Sequence, residues 1–244
     1  MDMEKKMPRW VSTLLMAAVF WLLGGLMTWL MAPFVKGNIA AWLLSILLTV
    51  LSSGIPALII RPRIGRTVPG KLVWASALGI SMVSVQTLMI RVIGLVLGTS
   101  APETDLIPSG ALEWAAAITA TCIVPGICEE GLFRGAIQES LTERFGRTRA
   151  VLITAGWFAV VHRSLVAFPA HFFGSVLLSL TLFHTGSLAA CMCCHGFFNL
   201  TVMLASAFPG WWNNTVVTSL YLVWMLLLAV PLLRKLRMRR KNKP

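Results

Sequence analysis

The sequence predicts an all-α protein, a polytopic membrane bundle of about eight transmembrane helices, and three observations predict it. First, the 244 residues are 57% hydrophobic and only 12% charged, with a mean hydropathy of +0.79, far from the balance of a soluble domain. Second, apolar runs of about 15–25 residues recur along the chain, the length that crosses a bilayer as a helix. Third, the basic residues gather in alternate connections between those runs.

The runs justify the helices in order. Val11–Met31 follows Lys5, Lys6 and Arg9, which imitates a signal peptide, but it is too long for that and no small-residue cleavage site follows. It is expected to be a retained first span. Ala40–Ile60, Leu72–Leu97 and Leu112–Phe133 come next, the last interrupted by Pro125-Gly126, a pair that kinks a helix or frees backbone groups. Ala150–Val161 and Pro169–Phe183 are short. Ser187–Phe208 ends at Pro209-Gly210, and Thr215–Leu233 is the eighth. With no repeat, low-complexity stretch or linker, residues 1–244 are expected to form a single integral membrane domain, with residues 234–244 as a basic cytoplasmic tail.

Eight spans sort the charges. One side collects Lys5, Lys6, Arg9, Arg61, Arg63, Arg66, Lys71, Arg134, Arg144, Arg147, Arg149 and seven residues of the tail, and the other collects Lys36, Arg163 and Arg91 with Glu103 and Asp105. Eighteen cations against three predict a multi-pass protein with both termini cytoplasmic, in the plasma membrane of a bacterium if the source is bacterial. The net charge of +12 does not indicate nucleic acid, because no soluble stretch is long enough to fold apart and the cations flank apolar segments; the bilayer is the partner. The basic tail is explained as a topology anchor, with attraction to anionic lipid as the functional reading. The five cysteines are odd in number and lie in apolar runs, which argues against a disulfide framework. Cys191-x-Cys193-Cys194-His195 is explained by small residues packing between helices better than by a soft-metal cluster.

Against that background the polar residues stand out. Glu129-Glu130-Gly131-Leu132-Phe133-Arg134 closes an apolar run, and ionisable groups at membrane depth are rare and usually functional. Glu130 and Arg134 are four apart in the favourable acid-before-base order, so Glu130 is expected to be a structural partner. Glu129 is rotated by about 100° and faces a different neighbour, where poor solvation suits it to general-base work. Phe158 and His162 share the four-residue spacing in the fifth run, and His195 and Asn199 in the seventh. Each histidine alone is explained by an interhelical hydrogen bond; their company with the acid pair shifts the reading to a catalytic site. His171 and His184 lack such company and lie near span ends.

This constellation resembles the CPBP family, the CAAX-protease and bacteriocin-processing intramembrane proteases, marked by Glu-Glu-x-x-x-Arg, Phe-x-x-x-His and His-x-x-x-Asn. The motifs stand in order at Glu129–Arg134, Phe158–His162 and His195–Asn199, within a core over residues 112–206, and Thr185–Leu188 also has the family's look. The resemblance implies an intramembrane endopeptidase. Glu129 and His162 would activate water, His195 and Asn199 would stabilise the oxyanion, and Glu130, Arg134 and Phe158 would support the site. No cofactor is favoured. The alternative is a zinc enzyme with Glu129, His162 and His195 as ligands, although no His-Glu-x-x-His signature is present. The substrate is expected to be a protein or peptide at the membrane, lipidated or not, and nothing in the sequence selects it. Two other classes stay open. A proton-coupled carrier would bury the same residue types but lacks repeat symmetry, and a non-catalytic scaffold would use them to lock helices. Glu129, His162, His195 and Asn199 are expected around one hydrated pocket on the cytoplasmic side, sunk below the headgroups, with His162 at the deep end of a fifth span that stops partway.

Overall fold

The computed structural model describes residues 7–99, 106–212 and 214–241. Lys5, Lys6, Glu103 and Asp105 of the charge count lie outside the described residues, as do the side chains of the basic tail. The protein is an all-α polytopic bundle built from eight helical rods. These are α1 (Arg9–Phe34), α2 (Asn38–Ile60), α3 (Pro69–Leu97), α4 (Ala111–Phe145), α5 (Arg147–Val161), α6 (Phe168–Thr185), α7 (Leu188–Ala207) and α8 (Thr215–Lys241), with a helical turn Pro209–Trp212 between the last two.

Six of the eight, α1 to α4, α7 and α8, are long and apolar enough to cross a membrane. The other two, α5 and α6, are the two runs expected to be short. The 15 residues of α5 rise only about 22 Å, short of a hydrocarbon core of about 30 Å, and its first turn is spent on Arg147 and Arg149. The 18 residues of α6 are broken in apolar character by His171, Ser175, Ser179 and Thr181. The two pack on each other as a hairpin that enters the bundle and returns.

The charge-bearing ends are tied together. Arg9 donates to Glu143 at 2.7 Å and lies 3.5 Å from Glu139, which Arg63 approaches at 3.8 Å. Lys71 Nζ donates to the Thr185 carbonyl, Leu188 N–H to the Ile64 carbonyl at 2.8 Å, and Arg147 lies over the Phe183 ring. The N-terminus, the 61–68 loop, the α4–α5 corner and the Thr185–Leu188 turn therefore share one end. At that turn Ser187 Oγ accepts from Ala190 N–H, a cap that starts α7.

Two features bring the helices close enough to build a site. α7 lies centrally, and small residues line its contacts: a Cβ on Gly79 of α3 would overlap the Cys194 carbonyl, and one on Gly126 of α4 would sit 3.1 Å from the Met192 carbonyl. Three π-helical stretches, Val50–Gly54, Thr119–Ile123 and Gly131–Ile137, widen α2 and α4 locally. The first two run into Pro56 and Pro125, whose missing N–H groups and ring bulk disrupt the ordinary ladder.

The contact at Gly79 generates a test. Gly79→Ala should lower stability by about 1–3 kcal/mol, because the added methyl meets backbone that cannot swing away. Gly156→Ala, with nothing within 4 Å of its Cβ, should match wild type or gain slightly. Thermal unfolding in detergent compares the two, and equal midpoints would contradict this packing.

Candidate active site

α4 carries two carboxylates side by side, and they face different ways. Glu130 is fully buried: its Oε1 accepts from Arg134 Nη1 at 2.9 Å and from His195 Nδ1 at 2.8 Å. Since that oxygen already accepts from the guanidinium, the imidazole Nδ1 is the donor. Arg134 is also sealed from solvent, donating through Nη2 to the Ser175 hydroxyl at 2.7 Å and the Ser175 carbonyl at 3.1 Å. One ion pair therefore joins α4, α6 and α7. Glu130 Oε2 and Arg134 Nε have no hydrogen-bond partner among the described residues.

Phe158 supplies the apolar half of the cluster. The Arg134 guanidinium lies 4.8 Å over its ring. Its centroid is 4.5 Å from that of His162, 5.1 Å from Phe133 and 5.9 Å from His195. Its own carbonyl accepts from His162 Nδ1 at 2.7 Å. A carbonyl oxygen only accepts, so Nδ1 carries a proton and Nε2 is the nitrogen left for other work.

Glu129, half-buried, turns to the other side of α4. It lines a cavity of about 180 Å³ with His162, Leu132, Phe133, Trp157 and Val161, closed by Ala17 and Trp21 of α1 and by Ser52 and Ser53 of α2. Glu129 lies ten residues before Glu139 and His162 fifteen beyond Arg147, roughly 15 Å and 22 Å from the basic end at helical rise.

The sequence-derived residues thus fall into two groups. Glu129 and His162 share the cavity. His195 and Asn199 are not among its lining residues: His195 is held against Glu130, close enough to Glu129 to interact with it electrostatically. Asn199 Nδ2 donates to the Thr121 carbonyl at 2.7 Å. Pro125 stands four residues after Thr121 and has no N–H to offer that carbonyl, so the proline creates the acceptor that orients Asn199. Sequence reasoning missed Trp21, Ser52 and Ser53, which lie in spans without a motif, and His171, whose ring lies 4.1 Å from that of His162. His184 packs on Trp74, away from the cavity.

The residues do not fit a metal. No group of three or more His, Cys, Asp or Glu among the described residues is arranged to hold an ion, so Glu129, His162 and His195 do not form the ligand set the zinc alternative requires. The same holds for Cys191-x-Cys193-Cys194-His195; all five cysteines are free, and Cys191 and Cys194 are buried.

The ion pair sets a stability prediction. Arg134→Ala strands the Glu130 carboxylate in a sealed apolar interior and should cost about 3–5 kcal/mol, seen as loss of folded protein in size-exclusion profiles and a lower unfolding temperature. Glu129→Gln removes no ion pair and should keep wild-type yield. Equal yields of the two would mean that the buried pair does not hold the bundle.

A family model described as type II CAAX prenyl endopeptidase Rce1-like matches residues 110–201, under half of the chain. No curated protein and no solved structure matches. The matched stretch runs from the start of α4 into α7 and takes in all three motifs, Glu130 with both of its partners, and the Glu129 and His162 face of the cavity. Over residues 110–201 the chain is therefore similar to the Rce1-like type II CAAX prenyl endopeptidases, in agreement with the motif resemblance.

Proposed function

We propose that the protein hydrolyses a peptide bond of a membrane-associated protein or peptide, with Glu129 and His162 activating the attacking water. The observation that carries this reading is that a carboxylate and an imidazole with one uncommitted nitrogen line the same cavity inside an apolar bundle. A carrier would need a pathway to both faces, and a scaffold would need no cavity beside its acid.

The chemistry follows from these groups. Water in the cavity gives a proton to Glu129, with His162 Nε2 accepting a hydrogen bond and aligning the lone pair, while the oxygen attacks the scissile carbonyl. The carbonyl oxygen becomes an oxyanion, and its donors are His195, which this step requires to carry a hydrogen on Nε2 as well as on Nδ1, and the second amide hydrogen of Asn199. For these to reach the oxyanion the substrate must insert along α4 between the Glu129 face and the α7 face. When the C–N bond breaks, the proton held by Glu129 passes to the leaving amine, and the new terminus leaves as a carboxylic acid whose remaining proton passes by way of His162 Nε2 to solvent, giving the carboxylate. No step is routed through a metal.

The likeness to type II CAAX prenyl endopeptidases points to a prenylated substrate ending in a CAAX sequence, whose lipidated tail would approach the cavity from the bilayer. The gathered basic end supports cytoplasmic placement of both termini, in the plasma membrane of a bacterium if the source is bacterial. The α5–α6 hairpin keeps this parity whether or not it crosses fully.

Four outcomes test the reading. Glu129→Gln should abolish turnover, with a loss of at least about 100-fold, while the protein stays folded. Comparative terminal proteomics of membranes carrying wild-type or Glu129→Gln protein should reveal peptides that lose a terminus only with the wild type, and active Glu129→Gln protein would sink the scheme. Asn199→Ala should lower kcat by about 100-fold with KM little changed, as for loss of one oxyanion donor. Reporter fusions should place both termini in the cytoplasm, and a terminus outside would reject the topology.

A further inference from the structure

His171 belongs to none of the three motifs, yet the fold delivers it to the cavity-lining histidine. Between Val161 and Phe168 the chain reverses within six residues. Arg163 takes a left-handed conformation there, with φ 52°, and Ser164 Oγ accepts from Ala167 N–H at 3.2 Å. Pro169 lies in the first turn of α6, where its missing donor is harmless and its fixed φ suits the helix. The reversal lays the first turn of α6 on the last turn of α5. His171 and His162 then meet with ring centroids 4.1 Å apart and planes inclined by 34°.

The His162 ring is consequently held from three sources: the Phe158 carbonyl at Nδ1, the Phe158 ring at 4.5 Å and the His171 ring. The hydrogen bond fixes one atom of the imidazole and leaves rotation about that anchor open; two ring contacts close it. His171 has a different relation to its surroundings. Its Nδ1 is buried and has no hydrogen-bond partner among the described residues. A histidine kept in an apolar helix for an interhelical hydrogen bond would show that bond, so the ring face, not the nitrogen, makes the contact that matters here.

We propose that His171 is a positioning residue for His162: its ring, packed at a tilt against that imidazole, fixes the imidazole's plane, keeping Nδ1 on the Phe158 carbonyl and Nε2 turned to the cavity that Glu129 also lines. The effect on catalysis rests on the protease reading; the effect on the ring does not.

The test separates the two. The chain has four histidines, so 15N-histidine labelling of the full protein in lipid nanodiscs, assigned by single substitutions, reports each ring. In the wild type His162 should give one tautomer, protonated at Nδ1. His171→Ala should replace it by an averaged or doubled signal, and His171→Phe, which keeps a ring and loses both nitrogens, should restore the single one. Where His171→Ala gives no folded protein, His171→Leu, bulky but not aromatic, takes its place. With a fluorogenic farnesylated CAAX peptide as probe, kcat of the Ala or Leu variant should fall about 10- to 100-fold with KM within about twofold, the scale of a misaligned catalytic group, and His171→Phe should recover most of it. A purely structural His171 would lower the unfolding temperature and leave the His162 signal and kcat of folded protein as in wild type, which overturns the proposal, as does a Phe variant that behaves like Ala. If the wild type fails to cleave the peptide while the ring signals change as described, the proposal stands on the ring and the protease reading loses its support.

Discussion

A guanidinium sealed inside an apolar bundle forces the arrangement around it. Arg134 cannot shed its charge and cannot reach water, so every neighbour must satisfy it: Glu130 on its own helix, the hydroxyl and carbonyl of Ser175 on α6, and the ring of Phe158 on α5. His195 of α7 completes the carboxylate it leans on. Four helices meet at one charge, and removing any partner leaves an ion stranded. The cost of carrying that ion is met only if α5 and α6 come inside the bundle, which explains why the two rods least suited to cross a membrane are kept there. Because Glu129 adjoins Glu130 in sequence, anchoring the second carboxylate in this network turns the first away from it and into the cavity.

Backbone irregularity does the remaining placement. An unbroken α-helix in lipid hides all of its polar groups, so a polar site needs a local defect buried in protein. Pro125 removes the ordinary donor of the Thr121 carbonyl, and Asn199 from α7 supplies the replacement at 2.7 Å. Ahead of Pro56, the widened turn Val50–Gly54 brings Ser52 and Ser53 to the cavity wall. The stretch Gly131–Ile137 sets Arg134 after the two acids on a wider turn than a regular helix would allow. Each defect lies within one turn of a residue of the site.

These facts decide what the sequence could reveal. The spans, the all-α class and the Glu130–Arg134 pair were legible, because apolar length and a four-residue spacing translate directly into helix geometry. The freed carbonyl near Pro125-Gly126 was legible as a possibility; its partner was not, since Asn199 comes from another helix. His171 was set aside as a residue near a span end because nine residues separate it from His162 across a reversal, and no helical period relates the two. Trp21, Ser52 and Ser53 were invisible for a similar reason: the wall that closes a cavity is chosen by packing, and Trp and Ser in an apolar span carry no chemical signature of their own. The length of α5 was readable from the start. Its consequence, a hairpin dipping into the bundle with His162 at its tip, depended on α6 returning alongside it.

A common rule runs through the three polar side chains that follow the acids. His162 spends Nδ1 on the Phe158 carbonyl, His195 spends Nδ1 on Glu130, and Asn199 spends one amide hydrogen on Thr121. Each has a second polar function left after its anchor is made. In water such anchoring would be weak and quickly exchanged, but in an apolar interior an unmet partner costs far more than the bond itself contributes, so the anchors persist. The anchor also fixes which nitrogen is committed: a carbonyl acceptor holds the His162 proton at Nδ1 and leaves Nε2 as the acceptor, whereas His195 directs its Nδ1–H to a carboxylate. In the proposed hydrolysis two imidazoles of the same intrinsic character take different tasks according to what their Nδ1 atoms touch. The proposed hydrolysis needs that difference, an acceptor for water on one side and a donor for the oxyanion on the other, and the bundle supplies it through backbone and ion-pair contacts.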